Sequence, residues 1–283
     1  MKKLNYKLLS LLLLLTLNFN LIKPAYSQTV LEEIQQTGLL KVGIRSDAIP
    51  FGYRDNNQQL RGICLDFVNI LNEQLKKTID RDIILVKIFI SSLYNRFEIV
   101  EDGIVHLECG PNTIREITDY EVQFSEPFFV TGIKFFAQAQ SASRLINSDG
   151  SNLTIGLLRY TTTEQFIKEK YPQAKFKLFQ GVKGSIRAIQ AVQQGRIDAF
   201  ANDGILLLGE SVELNIDSNR DFAIVPPIPL TCERYGLILP KNDPSWRSLV
   251  NLTIESAKDT QILKQWLPSR SSTELNINNK ACK

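Results

Sequence analysis

Strand-like and helix-like segments alternate along this chain, and that alternation constrains the fold more than any other feature. "LLKVGI" (Leu39–Ile44) reads as a buried strand. Apolar residues at Cys64, Phe67, Val68, Leu71 and Leu75 then keep the spacing of an amphipathic helix. "IILVKIFI" (Ile83–Ile90) and "TIGLL" (Thr154–Leu158) are further strands. The second of these leads into Thr161-Thr162-Thr163-Glu164, hydroxyls with an early acid, which is a helix start. Ile186, Ile189 and Val192 mark a helix ending near Gly195, and "RIDAFAN" (Arg196–Asn202) is again strand-like. Such alternation predicts an α/β protein with largely parallel sheets. Two blocks, roughly 38–135 and 152–225, are joined by the polar stretch "AQAQSASRLINSDGSN".

The N-terminus points to export. Lys2, Lys3 and Lys7 precede a leucine-rich run from Leu8 to Leu17, and Ala25-Tyr26-Ser27 places small residues where a signal peptidase reads. Cleavage before Gln28 is expected, giving a periplasmic protein. Removing the four leader lysines from 33 basic residues leaves 29 against 30 acidic ones, so the mature charge is near −1. That balance gives no reason to expect nucleic acid as a partner. His106 is the sole histidine and no Cys-x-x-Cys pair occurs, so neither a metal site nor a cofactor is expected.

The stretch "ECGPNTIREITDYEVQFS" (Glu108–Ser125) stands out. A strand ends in Cys109-Gly110-Pro111, a turn signal, and is followed by Thr113 and Arg115. Thr113 has the character of a helix N-cap, and Arg115 is either a solvated charge or a cation held for an anion.

Six motifs in order resemble one family. "LLKVGIRSDAIPFGYRDNNQQLRGICLDF" (39–67), "NRFEIVEDGIVHLECGPNT" (95–113), "FSEPFF" (124–129), "RYTTTEQF" (159–166), "GRIDAFANDGILLLGE" (195–210) and "YGLILPK" (235–241) are similar to segments of polar amino-acid-binding proteins of ABC importers, solute-binding protein family 3. The nearest likeness is to periplasmic glutamate/aspartate-binding proteins. The resemblance implies a two-lobed type II periplasmic-binding-protein fold with two crossover strands. A signal peptide (1–27) would precede lobe one (28–135), lobe two (136–232), and a return to lobe one with a tail (233–283). It implies a monomer that closes on a free L-amino acid and delivers it to an ABC permease in the inner membrane.

A zwitterion needs a cation and N–H donors for its carboxylate, an acceptor for its ammonium, and a selector for its side chain. The resemblance implies that Thr113 offers its hydroxyl and N–H to the α-carboxylate, that Gly110 lets the backbone approach, and that Thr161 adds donors from lobe two. Arg115 is the candidate carboxylate clamp, although an ungapped count from Phe124-Ser125 puts the family's arginine at Thr118, one helical turn on. Asp203 matches the acceptor for the ammonium, with helix capping as its structural alternative. Arg45 falls where these relatives hold a side-chain carboxylate, and its alternative is internal pairing with Asp47 or Asp203. Arg159 is a further cation expected at the pocket. Tyr160, where the family has glycine, narrows the cleft or covers the ligand. Leu93 and Tyr94 are expected side-chain contacts. Asp198 and His106 are read as structural.

Four cysteines remain after the leader, and sequence alone does not fix their pairing. The expected arrangement is Cys64–Cys109 within lobe one and Cys232–Cys282 tying down the tail. Two rivals to the importer reading are a periplasmic dehydratase of the prephenate or arogenate class and a detached amino-acid sensor. The dehydratase needs a general acid in the cleft, and no residue offers itself for that role in the sequence.

Overall fold

The computed structural model describes residues 28–216, 221–259 and Cys282. The expected signal peptide lies outside the described residues. Among them, no helix is long and apolar enough to cross a membrane.

The alternating segments build two five-stranded sheets, one per lobe. In the first lobe the order is Leu85–Ser91, Leu39–Arg45, Leu107–Cys109, Ile238–Pro240, Val122–Phe124. Leu39–Arg45 pairs parallel with both its neighbours, while the returning strand Ile238–Pro240 pairs antiparallel. Helix Ile63–Thr78 buries Cys64, Phe67, Val68, Leu71 and Leu75, the predicted stripe. It shares a core with Trp246, Leu249, Val250 and Ile254 of helix Pro244–Asp259. In the second lobe the order is Lys175–Phe179, Thr154–Leu158, Ala199–Asp203, Ile133–Gln138, Phe222–Val225.

Between the lobes run Phe129–Thr131 and Glu233–Tyr235, an antiparallel pair forming its own two-stranded sheet. Ile133–Gln138 already belongs to the second sheet. The crossover therefore comes at Thr131-Gly132, ahead of the boundary at 135 read from the sequence. An apolar run such as "VTGIKFFAQ" does not mark which of two sheets its residues join.

The lobes meet. Ile205 and Leu206, from second-lobe helix Gly204–Glu213, lie in the first lobe's core cluster, and Leu93 of the first lobe packs against a core cluster of the second. A Cβ at Gly209 on that helix would sit 2.6 Å from the carbonyl oxygen of Ile49, so only glycine permits this approach. Both expected disulfides are present, Cys64–Cys109 and Cys232–Cys282.

Candidate ligand-binding cleft

The strands of both lobes end at one cavity with about 590 Å³ of atom-free space, part of it continuous with solvent. Arg45, Arg96, Thr113 and Arg115 line it from the first lobe, and Thr161, Asp203 and Glu210 from the second. Each reaches the cleft through a local feature of the chain. Arg45 ends strand Leu39–Arg45, and Asp203 ends Ala199–Asp203. Thr161 caps helix Thr162–Lys170, its hydroxyl accepting from the Glu164 N–H at 3.0 Å. Glu210 lies on helix Gly204–Glu213.

Arg45 is buried and donates from Nε to Asp47 at 2.7 Å, while its Nη1 is buried with no hydrogen-bond partner among the described residues. Burial works against its charge, but the Asp47 carboxylate, helped by Glu108, outweighs burial and raises its pKa. Internal pairing with Asp47 is thus real and accounts for only part of the guanidinium. Gly110 stands behind this side chain. A Cβ there would lie 2.7 Å from Cγ of Arg45, so the glycine makes room for the arginine and does not itself line the cavity.

Arg96, which sequence reading passed over as a site residue, is as buried as Arg45. Its Nη2 donates across the cleft to the Tyr160 carbonyl at 3.2 Å, and its Nε lacks a partner among the described residues. Burial first, then the charges of Arg45 and Arg115, bring it down to about 9. The signal was present in the sequence as the second residue of the motif at 95–113, whose opening "NR" directly follows Leu93 and Tyr94. Leu93 does line the cavity.

No helix follows Thr113. The segment is extended, bridged to Tyr235 at Thr113 and held by the Ile114 N–H donating to the Arg234 carbonyl at 2.8 Å. The capping reading of Thr113 is therefore corrected, and Arg115 and Thr118 are not a helical turn apart. Arg115 nevertheless lines the cleft, with Nη1 3.4 Å from the Thr113 carbonyl and Cζ 5.2 Å from the Phe97 ring centre. Burial lowers its pKa. Across the cleft, the Thr162 hydroxyl lies 3.4 Å from that of Thr113.

Asp203 occupies the N-cap position of helix Gly204–Glu213 without making a side-chain cap. Its carboxyl group instead accepts from the Tyr235 hydroxyl and from Thr163 Oγ1 at 3.4 Å. Burial, aided by the nearby Glu233 charge, raises it to about 7. Behind the cleft, buried Glu108 accepts from Ser91 and Asn112, each at 2.6 Å.

Three expected contacts lie elsewhere. Arg159 is exposed and borders a different groove with Lys177, Arg187 and Arg196. Leu158, the last residue of strand Thr154–Leu158, lines the cleft, and Arg159 lies just past the strand's end. Tyr94 and Tyr160 are largely exposed and do not line the cavity; their rings meet edge to face at 5.9 Å, one from each lobe. Tyr160 has φ +67°, a left-handed backbone, which explains why glycine suits that position in the family. Asp198 accepts from the Thr154 N–H at 2.8 Å and from Arg144 at 2.6 Å, and His106 Nδ1 accepts from the Lys41 N–H at 3.2 Å, both structural contacts away from the cleft.

Residues 40–269 match the bacterial extracellular solute-binding proteins, family 3. The chain belongs to this family. It is 27% identical over 244 residues to the glutamate/aspartate import solute-binding protein of Salmonella typhimurium, covering 86% of this chain and 79% of that one. Among solved structures, an ancestral amino acid-binding protein described as a precursor of cyclohexadienyl dehydratase superposes with TM-score 0.70 at 24% identity, covering 83% of this chain and 98% of that one. An amino acid ABC transporter substrate-binding protein from Streptococcus pneumoniae, bound to L-arginine, gives TM-score 0.69 at 20% identity, covering 90% and 98%. These two likenesses speak to the type II binding-protein fold, which the two sheets and paired crossover strands share.

Proposed function

We propose that this protein captures a free amino acid with an acidic side chain, glutamate or aspartate, and delivers it to the permease of an ABC importer. The observation that carries the reading is the pair of buried guanidinium N–H groups, Arg45 Nη1 and Arg96 Nε, with no partner among the described residues. Buried cations with unused donors favour an anion. An apolar side chain would leave them unpaired, and a basic one would add a cation to a cleft already lined by Arg45, Arg96 and Arg115. In this reading Arg115, Thr113 and Thr161 hold the α-carboxylate, Asp203 ionises against the ammonium, and Arg45 with Arg96 takes the side-chain carboxylate. The name of the Salmonella typhimurium relative supports the same ligand class and the importer role. The expected export through a leader ending at Ser27 places capture in the periplasm.

Ligand contacts come from both lobes, so bound amino acid favours the closed arrangement by its differential affinity. Isothermal titration of the purified protein with the common amino acids tests the assignment. Micromolar glutamate or aspartate binding, at about 8 kcal/mol, with arginine and leucine at least tenfold weaker, is expected. Preference for a basic amino acid overturns it.

The dehydratase alternative has one observation in its favour. Glu210, buried in the cleft, is raised to about 8 by burial and is the kind of acid that such chemistry needs. No turnover of prephenate is expected, and its detection would replace the binding-protein reading.

A further inference from the structure

Glu210 is not used by the site as drawn so far. Only 6% of it is exposed, it lines the cavity from the second lobe, and its Oε2 is buried without a partner among the described residues. Its neighbours place it. Ser185, on helix Gly184–Gln193, hydrogen-bonds the carboxyl group, and Arg45 and Asp47 face it from the first lobe. Asn202, Asp203 and Leu206 also line the second-lobe wall, and Arg96 and Arg115 come from the first lobe. Thr162 contacts Thr113 and Thr163 contacts Asp203, so these residues have partners of their own. Glu210 thus belongs with Arg45, at the part of the cleft assigned to the ligand's side chain.

We propose that Glu210 is a specificity-determining residue whose carboxyl O–H donates a hydrogen bond to the side-chain carboxylate of the bound amino acid. This rests on the acidic-ligand reading given above and deepens it. An ionised Glu210 would repel that carboxylate, whereas the acid form adds a donor beside Arg45. Burial, reinforced by the Asp47 charge and opposed by Ser185 and Arg45, holds Glu210 at about 8, so the acid form dominates at neutral pH. When Glu210 ionises, the same oxygens become acceptors and suit the NH₂ of an amide side chain. Preference between glutamate and glutamine is therefore coupled to one proton.

The test is calorimetric titration of wild type and Glu210→Gln with glutamate and with glutamine, from pH 6.5 to 9. In wild type, the preference for glutamate falls about tenfold between pH 7 and 9, as one group with a pKa near 8 ionises. In Glu210→Gln, which donates at every pH, the preference does not follow that curve, whatever the substitution costs in affinity. Titration of the α-ammonium, of Asp203 and of Arg96 affects both proteins, so the difference between their curves isolates Glu210. Parallel curves, or a wild-type preference that is flat or rises with pH, overturn the inference while leaving the ligand class standing. Absence of binding by both amino acids overturns the ligand class and this inference together. Should Glu210→Gln fail to fold, Glu210→Ala, which carries no titratable group at this position, supplies the reference curve in its place.

Discussion

Replacing Arg96 by methionine separates what this side chain does for binding from what it does for stability. The guanidinium is buried, one of its nitrogens has no partner among the described residues, and Arg45 and Arg115 both repel it. Its contribution to the unliganded fold is therefore small or negative, since replacing a buried charge with an apolar side chain of similar volume is often neutral or stabilising by about 1–4 kcal/mol. The Tyr160 carbonyl loses one donor at 3.2 Å, a cost of about 1–2 kcal/mol that offsets part of this gain. The unliganded variant should unfold in urea within about 2 kcal/mol of wild type, on either side. Binding should behave differently. Losing a buried partner of a ligand carboxylate costs roughly 2–5 kcal/mol, or about thirty- to several-thousandfold in Kd. Calorimetry with glutamate measures the second quantity and urea titration the first. A variant that binds within threefold of wild type refutes the assignment of Arg96 to the anion. One that loses more than about 4 kcal/mol of stability refutes the claim that its burial is unfavourable without ligand.

The remaining predictions address closure, pH and the disulfides. Gly209→Ala places a methyl 2.6 Å from the Ile49 carbonyl oxygen and should weaken glutamate binding at least tenfold by holding the lobes apart, although neither residue is assigned to the ligand; unchanged Kd, measured by calorimetry, removes the closure role. Asp203 and Glu210 are raised to about 7 and about 8 from 3.8 and 4.5, so the folded state binds more protons than the unfolded one between those values. Their contribution is complete below pH 3.8 and is lost as pH rises through 7 and 8; Asp203→Asn with Glu210→Gln should therefore flatten a fall in unliganded stability between pH 5 and 8, read by urea titration, on the order of a few kcal/mol. Cys64→Ser with Cys109→Ser opens a loop spanning 45 residues and should cost about 4 kcal/mol in the same assay, with a loss under 1 kcal/mol refuting the estimate.

How much of this was legible in the sequence depended on whether the information was local. The helix Ile63–Thr78 was readable because its stripe repeats every three or four residues. The cap at Thr161 was readable because hydroxyl and acceptor lie three residues apart. Arg45, Thr113, Arg115, Thr161 and Asp203 do come together at one cleft. The form of the loop after Gly110 was not readable, because its extended course depends on pairing with residues near 235, more than a hundred positions away. Arg159 was misplaced by one position, since Leu158 ends the strand at the cleft and Arg159 beyond it borders the other groove. Arg96 and Glu210 were missed for another reason. Both lie inside the quoted motifs, but an arginine after asparagine and a glutamate on a helix carry no local sign that tertiary packing will bury them.

The cleft's ionisable groups also bear on why a fold would keep them. Unliganded, it holds two carboxyl groups at about 7 and about 8 and an arginine at about 9, each displaced toward neutrality mainly by burial. Apolar replacements would relieve that cost, so packing alone does not account for these residues. An acidic amino acid changes the balance group by group. In the proposed reading its ammonium lets Asp203 ionise, and its side-chain carboxylate supplies the acceptor that Arg45 Nη1 and Arg96 Nε lack among the described residues. Closure removes water from all of these contacts at once, which strengthens each one. A ligand lacking either charge leaves one set unsatisfied and so favours closure less. Discrimination then lies in the closed state, where the lobes already meet through Leu93, Ile205 and Leu206. It follows that weakening this apolar contact should lower affinity for every ligand by a similar factor, whereas changing Arg96 or Glu210 should alter the ranking among ligands.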